Sequence, residues 1–396
     1  MGGGARSRRA ASRHPSRALM HNLIVDLRDE RFGGSAQERY VANIEAAGVT
    51  YQRGGCPNER VLAWIDLEFG GSWSSEAAAG QNIALTKDGA PVAFATHQAR
   101  GLKFFWLRSL ETQPDTGLFG PFGVAPSLRG SSIGVDLLLA TLCELRVSGY
   151  KSALIPAVGS QRLIDYYHRH TGATIQQTFE LYDRAIPPYR TTVLASGNGT
   201  NFQTVLDAVK RGELPLQIEA LITNNAAAYA VQRARAAVVP LQLALPWNRA
   251  QQGRERYDDQ LLDAVLRARP QLVLLLGWMH LLPARFLEAV PEIINIHPAF
   301  LPLDQGQEDV GLSDGTRMAA FRGPHAVRDA LAAGTAWAGA TAHGINLDAD
   351  RGPVLVRRPL LLRNVLSESA VMEKLRPIEH EVLLGGIRRW VFEQPN

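Results

Sequence analysis

Hydrophobic and polar positions change their spacing about halfway along the chain, and each half predicts its own set of elements. In the first half, two apolar-rich runs at 82–86 and 91–95 flank Asp88-Gly89, which is typical of a β-hairpin. Across 133–148 apolar residues recur every three or four positions, which predicts a helix closed by Gly149. A further strand is predicted at 152–156 and a further helix at 162–170.

In the second half, short apolar runs alternate with amphipathic stretches. The predicted strands are 191–196, 218–224, 272–277 and 292–296, and the predicted helices are 201–210, 227–236 and 256–268. Such alternation favours a Rossmann-like parallel sheet covered by helices on both faces. Ligands bind such sheets at the carboxyl ends of the strands, so the informative side chains are expected just after each strand.

The chain has 396 residues, which is long enough for two domains that each bury a core. The paired Pro187-Pro188 separates the two patterns, so we predict an N-terminal mixed α/β domain at 21–188 and a C-terminal α/β domain at 189–396. The two are expected to share few core contacts. Residues 1–20 are rich in Arg and lack acids, which favours a disordered or mis-assigned leader over an organelle import signal.

Charge and cysteine content narrow the classes of partner. The formal charge of +4 is accounted for by five arginines in residues 1–20, so the folded part is close to neutral and a nucleic-acid surface is not expected. No apolar run approaches the roughly 20 residues of a membrane span. Cys56 and Cys143 lie far apart in the sequence, which suits a reducing compartment, so we expect a cytoplasmic protein. Its expected partners are small-molecule substrates, and a homodimer is one candidate assembly.

A glycine-rich loop, residues 196–201, joins the predicted strand at 191–196 to the helix that follows. Glycines allow close approach of an anion, and the free N–H groups at a helix start are donors for a phosphate. The same sequence also suits an ordinary strand-to-helix turn in which Asn or Thr caps the helix. The loop by itself leaves both interpretations open.

Asn295 and His297 lie two residues apart at the end of a predicted strand, so their side chains project from one face. One side chain suits donation to an oxyanion and the other suits proton transfer. Asp350 precedes Gly352-Pro353 at a loop mouth, where a carboxylate would hold an imidazole protonated. A polar pair on a buried strand is usually structural, and an Asp before such a turn is usually a turn former.

Taken together, these segments resemble the phosphoribosylglycinamide formyltransferase family over 191–396. The resemblance rests on S-G-N-G-T-N at 196–201, P-x-L-V-L-L-L-G-W-M-H-L-L at 270–282, N-I-H-P at 295–298, F-x-G-x-H at 321–325 and D-x-G-P at 350–353. It implies transfer of a formyl group from the co-substrate 10-formyltetrahydrofolate to the amine of glycinamide ribonucleotide, without a metal.

The resemblance also implies a role for individual residues. The catalytic residues would be Asn295, His297 and Asp350; the substrate would be bound by Gly199, Thr200, Asn201, Arg254 and Glu379; and folate would be bound by Trp278, Met279, His280, Leu281 and Leu282, together with the 345–350 loop. Gly199 to Asn201 match the phosphate loop, and Glu379 matches the acid near the substrate ribose.

The sequence departs from the family pattern at three places. Residues 304–320 are an insertion beside the expected substrate cleft, His280 stands where an arginine is common, and Val327 stands where a second histidine is common. The insertion keeps open a different amine acceptor, such as an amino sugar nucleotide. A protein that senses CoA and folate without turnover is the non-enzymatic alternative. Two related folate enzymes are not favoured. A formyltetrahydrofolate hydrolase typically has a histidine at the position of Pro298, and a methionyl-tRNA formyltransferase carries a basic domain after the catalytic one.

Residues 81–183 resemble the acyl-CoA N-acetyltransferase (GNAT) superfamily. The resemblance rests on V-A-P-S-L-R-G-S-S-I-G-V-D-L-L at 124–138 and Y-Y-H-R-H-T-G-A at 166–173. It implies that Arg129, Gly130 and Gly134 bind the pyrophosphate of acetyl-CoA at a helix start, and that Tyr167 protonates the leaving thiolate. Ser132 stands where that superfamily has a glycine, and an aromatic residue such as Tyr167 on a helix also suits core packing.

Overall fold

The structure is a computed structural model that describes residues 19–54, 58–182, 187–248, 253–363 and 367–394. The elements of the N-terminal half are β1 Leu19–Asp26, α1 Ala36–Ala46, β2 Thr50–Gly54, α2 Glu59–Glu68, α3 Trp73–Ala78, β3 Gln81–Lys87, β4 Ala90–His97, β5 Thr116–Val124, α4 Ile133–Val147, β6 Ser152–Val158, α5 Gln161–Thr171 and β7 Thr174–Glu180. Short 3-10 helices lie at Glu30–Phe32, Phe105–Thr112 and Pro126–Leu128.

The N-terminal strands form one seven-stranded mixed sheet in the order β2-β3-β4-β5-β6-β1-β7. The predicted hairpin is confirmed as β3 and β4, and its turn residues Asp88 and Gly89 have φ of 50° and 75°, as a tight hairpin turn requires. The predicted helix at 133–148 is confirmed as α4, which is buried along most of its length. This half therefore has a mixed α/β core of its own.

The C-terminal half contains fifteen elements within the described residues. They are β8 Tyr189–Leu194, α6 Thr200–Lys210, β9 Leu216–Thr223, α7 Tyr229–Ala236, β10 Leu241–Ala244, α8 Arg254–Arg267, β11 Leu272–Leu275, α9 Ala284–Ala289, β12 Ile293–His297, β13 Asp309–Gly311, β14 Arg317–Ala319, α10 Ala326–Ala332, β15 Trp337–Gly344, β16 Val354–Leu361 and α11 Glu368–Glu393. All four predicted strands and all three predicted helices are present, with boundaries shifted by at most two residues.

The large C-terminal sheet has the order β10-β9-β8-β11-β12-β15-β16. The five strands from β10 to β12 are parallel, as predicted. The last two, β15 and β16, run antiparallel to their neighbours, which the alternation of the sequence did not predict. Because β15 runs opposite to β12, its C-terminal part lies beside the start of β12, and its residues pair across to Asn295 and His297.

The first strand begins before residue 21, the predicted start of the N-terminal domain. Strand β1 begins at Leu19, inside the segment 1–20 that was expected to be a disordered leader, and Leu19 and Met20 pair with Glu180 and Phe179 of β7. Residues 1–18 and Cys56 lie outside the described residues. Cys143 is buried in α4. In the part of the chain that the structure describes, no helix has the length and apolar character needed to cross a membrane.

The expectation that the two halves share few core contacts is wrong. Helix α2 carries the buried run from Val61 to Ile65, which occupies more than one face of the helix. One side packs with Phe94 of the N-terminal sheet, and Ala63 packs with Phe300 and Trp337 of the C-terminal half. A helix that is apolar around its circumference must be covered on several sides, and here each half supplies part of that cover.

A buried ion pair crosses the same interface. Arg357 on β16 donates from Nε to Asp66 Oδ2 of α2 at 2.9 Å, and neither side chain is more than 2% exposed. The second guanidinium arm donates to the Leu301 carbonyl, and the guanidinium carbon lies 4.4 Å from the ring centre of Phe300. Burial raises the pKa of Asp66 to about 6 although Arg357 opposes that rise, so the attraction does not fully offset the loss of hydration.

Removal of one partner should therefore cost far more than removal of both. We expect Asp66→Ala to lower the free energy of unfolding by about 3–5 kcal/mol, because it leaves Arg357 buried without its counter-charge. The double variant Asp66→Leu with Arg357→Met should recover most of that loss. Urea denaturation measures both. Asp26→Ala, which removes an exposed pair with Arg28, is the control and should stay within about 1 kcal/mol; an equally small effect of Asp66→Ala would contradict the prediction.

Candidate active site and a second cleft

The carboxyl end of β12 brings the predicted polar pair to one edge of the sheet. His297 is buried and Asn295 is half-buried, and both lie next to β15. His297 Nε2 donates to the Phe321 carbonyl at 2.9 Å, and its Nδ1 lies 3.6 Å from Asp350 Oδ1. The structure thus joins residues that are 53 positions apart in the sequence, and both ring nitrogens face acceptor oxygens.

Asp350 sits in a strained backbone conformation, with φ of 54°, in the loop before β16. Its Oδ2 accepts from the backbone N–H of Gly323 at 2.7 Å, while Oδ1 faces His297. A non-glycine residue at positive φ persists only where its surroundings fix it, and such residues concentrate at functional sites. The turn is thus compatible with the catalytic interpretation of Asp350.

The charges in this cluster move two pKa values. Burial by itself would raise the pKa of Asp350, but the imidazole of His343, the charge of His297 and the Gly323 N–H together hold it well below its usual range. Burial lowers the pKa of His297, and Asp350 and the Phe321 carbonyl oppose that fall. Asp350 is therefore ionised at neutral pH, and it favours the charged form of a histidine that burial disfavours.

His343 is a member of the cluster that the sequence analysis missed. It lies opposite Asn295 on β15 and is fully buried. Its Nδ1 donates to the Gly344 carbonyl, and its Nε2 lies 3.2 Å from Asn295 Nδ2 and 3.6 Å from Asp350 Oδ1. A histidine in an apolar strand carries no sequence signal of this kind, because only the antiparallel pairing of β12 with β15 places it there.

The glycine-rich loop ends in a helix start that lacks a side-chain cap. The N-cap of α6 is Gly199 with φ of 68°, so the alternative in which Asn or Thr caps this helix is wrong. A side chain at 199 would also meet Ala230 of α7 at 2.9 Å. The first N–H groups of α6, which include those of Thr200 and Asn201, thus have no side-chain oxygen to bind, and this is the arrangement that accepts an anion.

Arg233 of α7 adds a positive charge beside this loop and was not identified from the sequence. Its Nε donates to the Asn198 carbonyl at 2.9 Å, and its other arm donates to Gln203 of α6 at 3.0 Å. It lies on the same helix as Ala230, whose N–H donates to the Gly197 carbonyl at 3.2 Å. The loop is therefore held by α7 and carries a guanidinium next to the open helix end.

Buried polar atoms without a partner collect at the carboxyl ends of the parallel strands. They include Ser196 Oγ after β8, Asn201 Oδ1 in α6, Asn224 Oδ1 after β9 and Trp278 Nε1 after β11. Buried polar groups normally have partners, so a group of such atoms along one edge of a sheet needs an explanation. A polar ligand at this edge would satisfy them.

The predicted folate segment 278–282 alternates between buried and exposed side chains. Trp278 is buried and Leu282 is half-buried, whereas Met279 and Leu281 are 60% and 69% exposed. Leu347, in the second predicted folate loop, is also highly exposed. Exposed large apolar side chains on these two loops suit a ligand with an apolar body.

His280 packs inside a box of aromatic rings. Its ring centre lies 5.5 Å from that of Trp247, 5.7 Å from that of Tyr257 and 5.5 Å from that of Trp278. Burial and then the charge of Arg254 lower the pKa of His280. The neutral ring thus acts as a packing group in this segment, in contrast to the arginine expected from the family pattern.

Arg254 and Glu379 occupy different surroundings. Arg254 begins α8, pairs with Asp258 at 2.8 Å and donates to the Leu281 carbonyl, so it supports the 278–282 segment. Glu379 lies buried on α11, where burial raises the pKa of its carboxyl to about 7 and Arg376 opposes that rise. The structure does not bring these two side chains into contact with each other, and their predicted roles toward substrate stay predictions.

A cleft lies in the N-terminal sheet. Strands β5 and β6 pair in parallel only from Thr116 to Leu118, and beyond this point β5 pairs with β4 while β6 pairs with β1. The divergence leaves a cavity of about 910 Å³ with largely aromatic and aliphatic walls. Phe392 of α11 also lines this cavity, so the C-terminal half contributes one of its walls.

Two of the predicted acyl-CoA residues, Arg129 and Tyr167, line this cleft. Arg129 lines the cavity and donates to the Val124 carbonyl at 3.2 Å, and Gly130 has φ of 85°. Helix α4 starts without a side-chain cap at Ser132. Tyr167 lines the cavity and is buried in the core, and burial raises its pKa above the usual range.

Tyr166, which the sequence analysis did not select, also lines the cleft. A Cβ built on Gly134 would lie 3.9 Å from its hydroxyl oxygen, which places this second tyrosine beside the start of α4. Burial raises the pKa of Tyr166 to about 12.

Comparisons with known proteins concern the C-terminal half. A family model described as formyl transferase matches residues 189–387. Phosphoribosylglycinamide formyltransferase of Schizosaccharomyces pombe is 30% identical over 216 residues, which cover 51% of this chain and 96% of that protein. The Escherichia coli enzyme of the same name is 29% identical over 191 residues, 48% of this chain and 81% of that one. The crystal structure of glycinamide ribonucleotide transformylase 1 from Symbiobacterium toebii is 30% identical, covers 52% of this chain and 88% of that chain, and has a TM-score of 0.45.

Burial and the charge of Asp350 shift the pKa of His297 in opposite directions, and this can be tested. In Asp350→Asn the negative charge that favours imidazolium is lost, so the pKa of His297 should fall further below its usual value. A pH titration of labelled imidazole signals by NMR, assigned with His297→Gln, measures the pKa. Asp348→Asn, in the same loop, removes an equal charge without a contact to His297 and should leave this pKa unchanged. Equal pKa values in the two variants would exclude the pairing.

Proposed function

The chain belongs to the formyl transferase family and is a folate-dependent formyltransferase, and we propose that it transfers a formyl group from 10-formyltetrahydrofolate to the amine of glycinamide ribonucleotide. The observation that carries the proposal is the cluster of Asn295, His297 and Asp350 at the carboxyl edge of the parallel sheet. This edge also holds the open start of α6 and the apolar side chains of 278–282.

This geometry supports a separate role in formyl transfer for Asn295, His297 and Asp350. 10-Formyltetrahydrofolate supplies an activated formyl carbon, which the acceptor amine attacks. Asn295 keeps one amide N–H after its contact with His343, and this N–H would donate to the oxygen that gains negative charge. His297 would supply a second donor once its Nε2 exchanges the Phe321 carbonyl for that oxygen. Asp350 stays ionised, so it would stabilise the imidazolium of His297, and it would orient a water that carries the amine proton to the departing folate nitrogen.

The acceptor phosphate would bind at the start of α6. Thr200 and Asn201 present backbone N–H groups there, the helix dipole favours an anion, and Arg233 adds a guanidinium beside Asn198. Glu379, with a pKa near neutrality, suits a hydrogen bond with a sugar hydroxyl, because its neutral form donates and its charged form accepts.

The folate end would occupy the loops with exposed apolar side chains. Met279, Leu281 and Leu347 offer contact area to an aromatic body, and Trp278 Nε1 is a buried donor without a partner. Arg254 holds the Leu281 carbonyl and so fixes the shape of this wall. These residues fit an amphipathic co-substrate.

The main argument for a different acceptor is weakened by the fold. The insertion 304–320 was the motive for an amino sugar nucleotide, because it was expected beside the substrate cleft. Its strands β13 and β14 form a hairpin that packs on α2 through buried apolar residues, so interdomain packing accounts for much of the insertion. Glycinamide ribonucleotide therefore stays the preferred acceptor, and an assay over candidate amines would decide between them.

Phosphate recognition can be tested without damage to the loop. Gly199 is unsuitable, because any side chain there would meet Ala230. Asn201→Asp is isosteric and places a negative charge in the first turn of α6, so it should raise KM for glycinamide ribonucleotide at least tenfold, which corresponds to about 1.4 kcal/mol. KM for 10-formyltetrahydrofolate should change little.

The dephosphorylated acceptor is the control for this experiment. Wild-type kcat/KM should be much lower for it than for glycinamide ribonucleotide, and Asn201→Asp should not lower it further. Equal kcat/KM for both acceptors in the wild type would refute phosphate recognition and would favour another amine.

For the N-terminal half, the divergence of β5 and β6 supports a second function, the binding of acetyl-CoA. The cavity of about 910 Å³ suits an extended ligand, and α4 starts without a side-chain cap next to Arg129 and Gly130. Tyr166 and Tyr167 both line the cleft, and either hydroxyl would be the candidate to protonate a leaving thiolate. Acetyl transfer by this half is part of the same proposal.

Acetyl-CoA binding should respond to charge at the start of α4. Gly134→Asp has room for its side chain, with the nearest atom 3.5 Å from a built Cβ, and it should weaken binding at least tenfold by repelling the pyrophosphate. Isothermal titration calorimetry of the full chain with acetyl-CoA measures this. Ser148→Asp adds the same charge at the other end of α4 and should leave the affinity unchanged. A wild-type protein that binds no acetyl-CoA would refute the second function.

A further inference from the structure

The insertion 304–320 contacts the N-terminal half through an apolar face. Strands β13 and β14 pair as a hairpin, Val310 with Met318 at its centre. Val310, Leu312 and Met318 are buried together with Ala63 of α2 and with Phe300, which lies three residues after His297. The hairpin therefore fills the space between helix α2 and the segment that leaves the catalytic strand.

Polar contacts at the start of α2 fix the same hairpin. The Glu59 carboxylate accepts from the Gly311 N–H at 3.0 Å and from Arg317 at 2.7 Å. Arg60 donates to the Ser313 carbonyl at 3.0 Å. A Cβ at Gly311 would lie 2.9 Å from the Glu59 Cβ, so glycine is required for this close approach. The N-terminal half thus holds the hairpin along both of its strands.

The other end of the insertion reaches the catalytic loops. Glu308 stands at the base of the hairpin, where its carbonyl accepts from the Ala320 N–H at 2.8 Å. Its carboxylate bridges two arginines, Arg322 at 3.1 Å and Arg351. Arg322 and Arg351 also donate to the carbonyls of Gln307 and Gln305.

Each bridged arginine is adjacent in sequence to a partner of His297. Arg322 follows Phe321, whose carbonyl accepts from His297 Nε2, and Arg351 follows Asp350, which faces Nδ1. The Gly323 N–H, next to Arg322, donates to Asp350. Glu308 thus ties together the two loops that hold the opposite sides of the histidine ring.

We propose that the hairpin 309–319 and Glu308 form a positioning device for formyl transfer, through which helix α2 of the N-terminal half sets the separation of the Phe321 and Asp350 loops around His297. The proposal rests on the catalytic roles proposed above for His297 and Asp350. Glu308 and Glu59 act through other residues and do not touch the reacting atoms.

A positioning role and a stability role predict different results. Glu308 is 74% exposed, and ion pairs at that exposure contribute little to stability. A catalytic group that moves by about 1 Å, however, loses on the order of 10²-fold in rate. Loss of the Glu308 bridge should therefore lower kcat while the melting temperature stays close to that of the wild type.

The test compares full-length variants. Glu308→Gln should lower kcat for formylation about tenfold, with KM for both substrates within about twofold, and it should shift the pKa of His297 measured by NMR. Glu308→Asp, which keeps the charge but reaches less far, should give an intermediate kcat. Glu59→Gln, at the N-terminal end of the hairpin, should lower kcat in the same direction.

Glu213→Gln is the matched control. Glu213 also bridges two arginines, Arg211 at 2.6 Å and Arg388 at 3.3 Å, but it lies at the end of α6 away from the hairpin. This variant should keep the wild-type kcat and His297 pKa. If Glu308→Gln and Glu59→Gln also keep both values, the positioning proposal is overturned.

His297→Ala separates this outcome from failure of the proposed function. If His297→Ala keeps the wild-type rate, the catalytic assignment itself fails. If it loses the rate while Glu308→Gln keeps it, only the positioning proposal fails. Circular dichroism and melting curves of every variant show whether a lowered kcat reflects unfolding.

Discussion

Helix α2 is the element on which the relation of the two halves depends, and its buried Asp66–Arg357 contact is the central interaction. Arg357 spans three groups from one position: the carboxylate of α2, the Leu301 carbonyl and the ring of Phe300. The last two belong to the segment that follows His297. A charge this deeply buried tolerates little displacement, because any separation leaves it without compensation. The segment that follows β12 is therefore supported from the N-terminal half as well as from its own sheet.

The candidate active site shows how burial and charge act against each other. Burial favours a neutral His297, whereas Asp350 and the Phe321 carbonyl favour the charged ring. The result is a histidine whose protonation responds to small changes in the position of two loops, which suits a group that must take up and release a proton within one reaction. Because both loops are tied to Glu308, the protonation of this ring and the docking of the insertion share the same contacts.

The two candidate sites of the chain lie at two different kinds of feature in a sheet. In the C-terminal sheet, helix α6 begins at the carboxyl end of the parallel strand β8, and its first N–H groups have no side-chain cap. In the N-terminal sheet, β5 and β6 separate after three paired residues and the gap becomes a cavity with apolar walls. Helix α11 connects them, since it carries Glu379 and also places Phe392 against the N-terminal cavity.

The sequence by itself determined the secondary structure of most of the chain and the match to the formyl transferase family, and it singled out Asn295, His297 and Asp350 as candidates, because helix periodicity, strand runs and short motifs are local properties. Only the tertiary structure showed that His343 joins Asn295, that Arg233 lies beside the glycine-rich loop 196–201 and that the insertion docks on α2. Each depends on contacts between residues far apart in sequence, and neither a lone histidine in an apolar strand nor an arginine on a helix face carries a local signal of its partner. The expectation of independent halves was wrong for the same reason. Each half has a complete pattern of local elements, and such a pattern does not show that one face of helix α2 is covered by the other half.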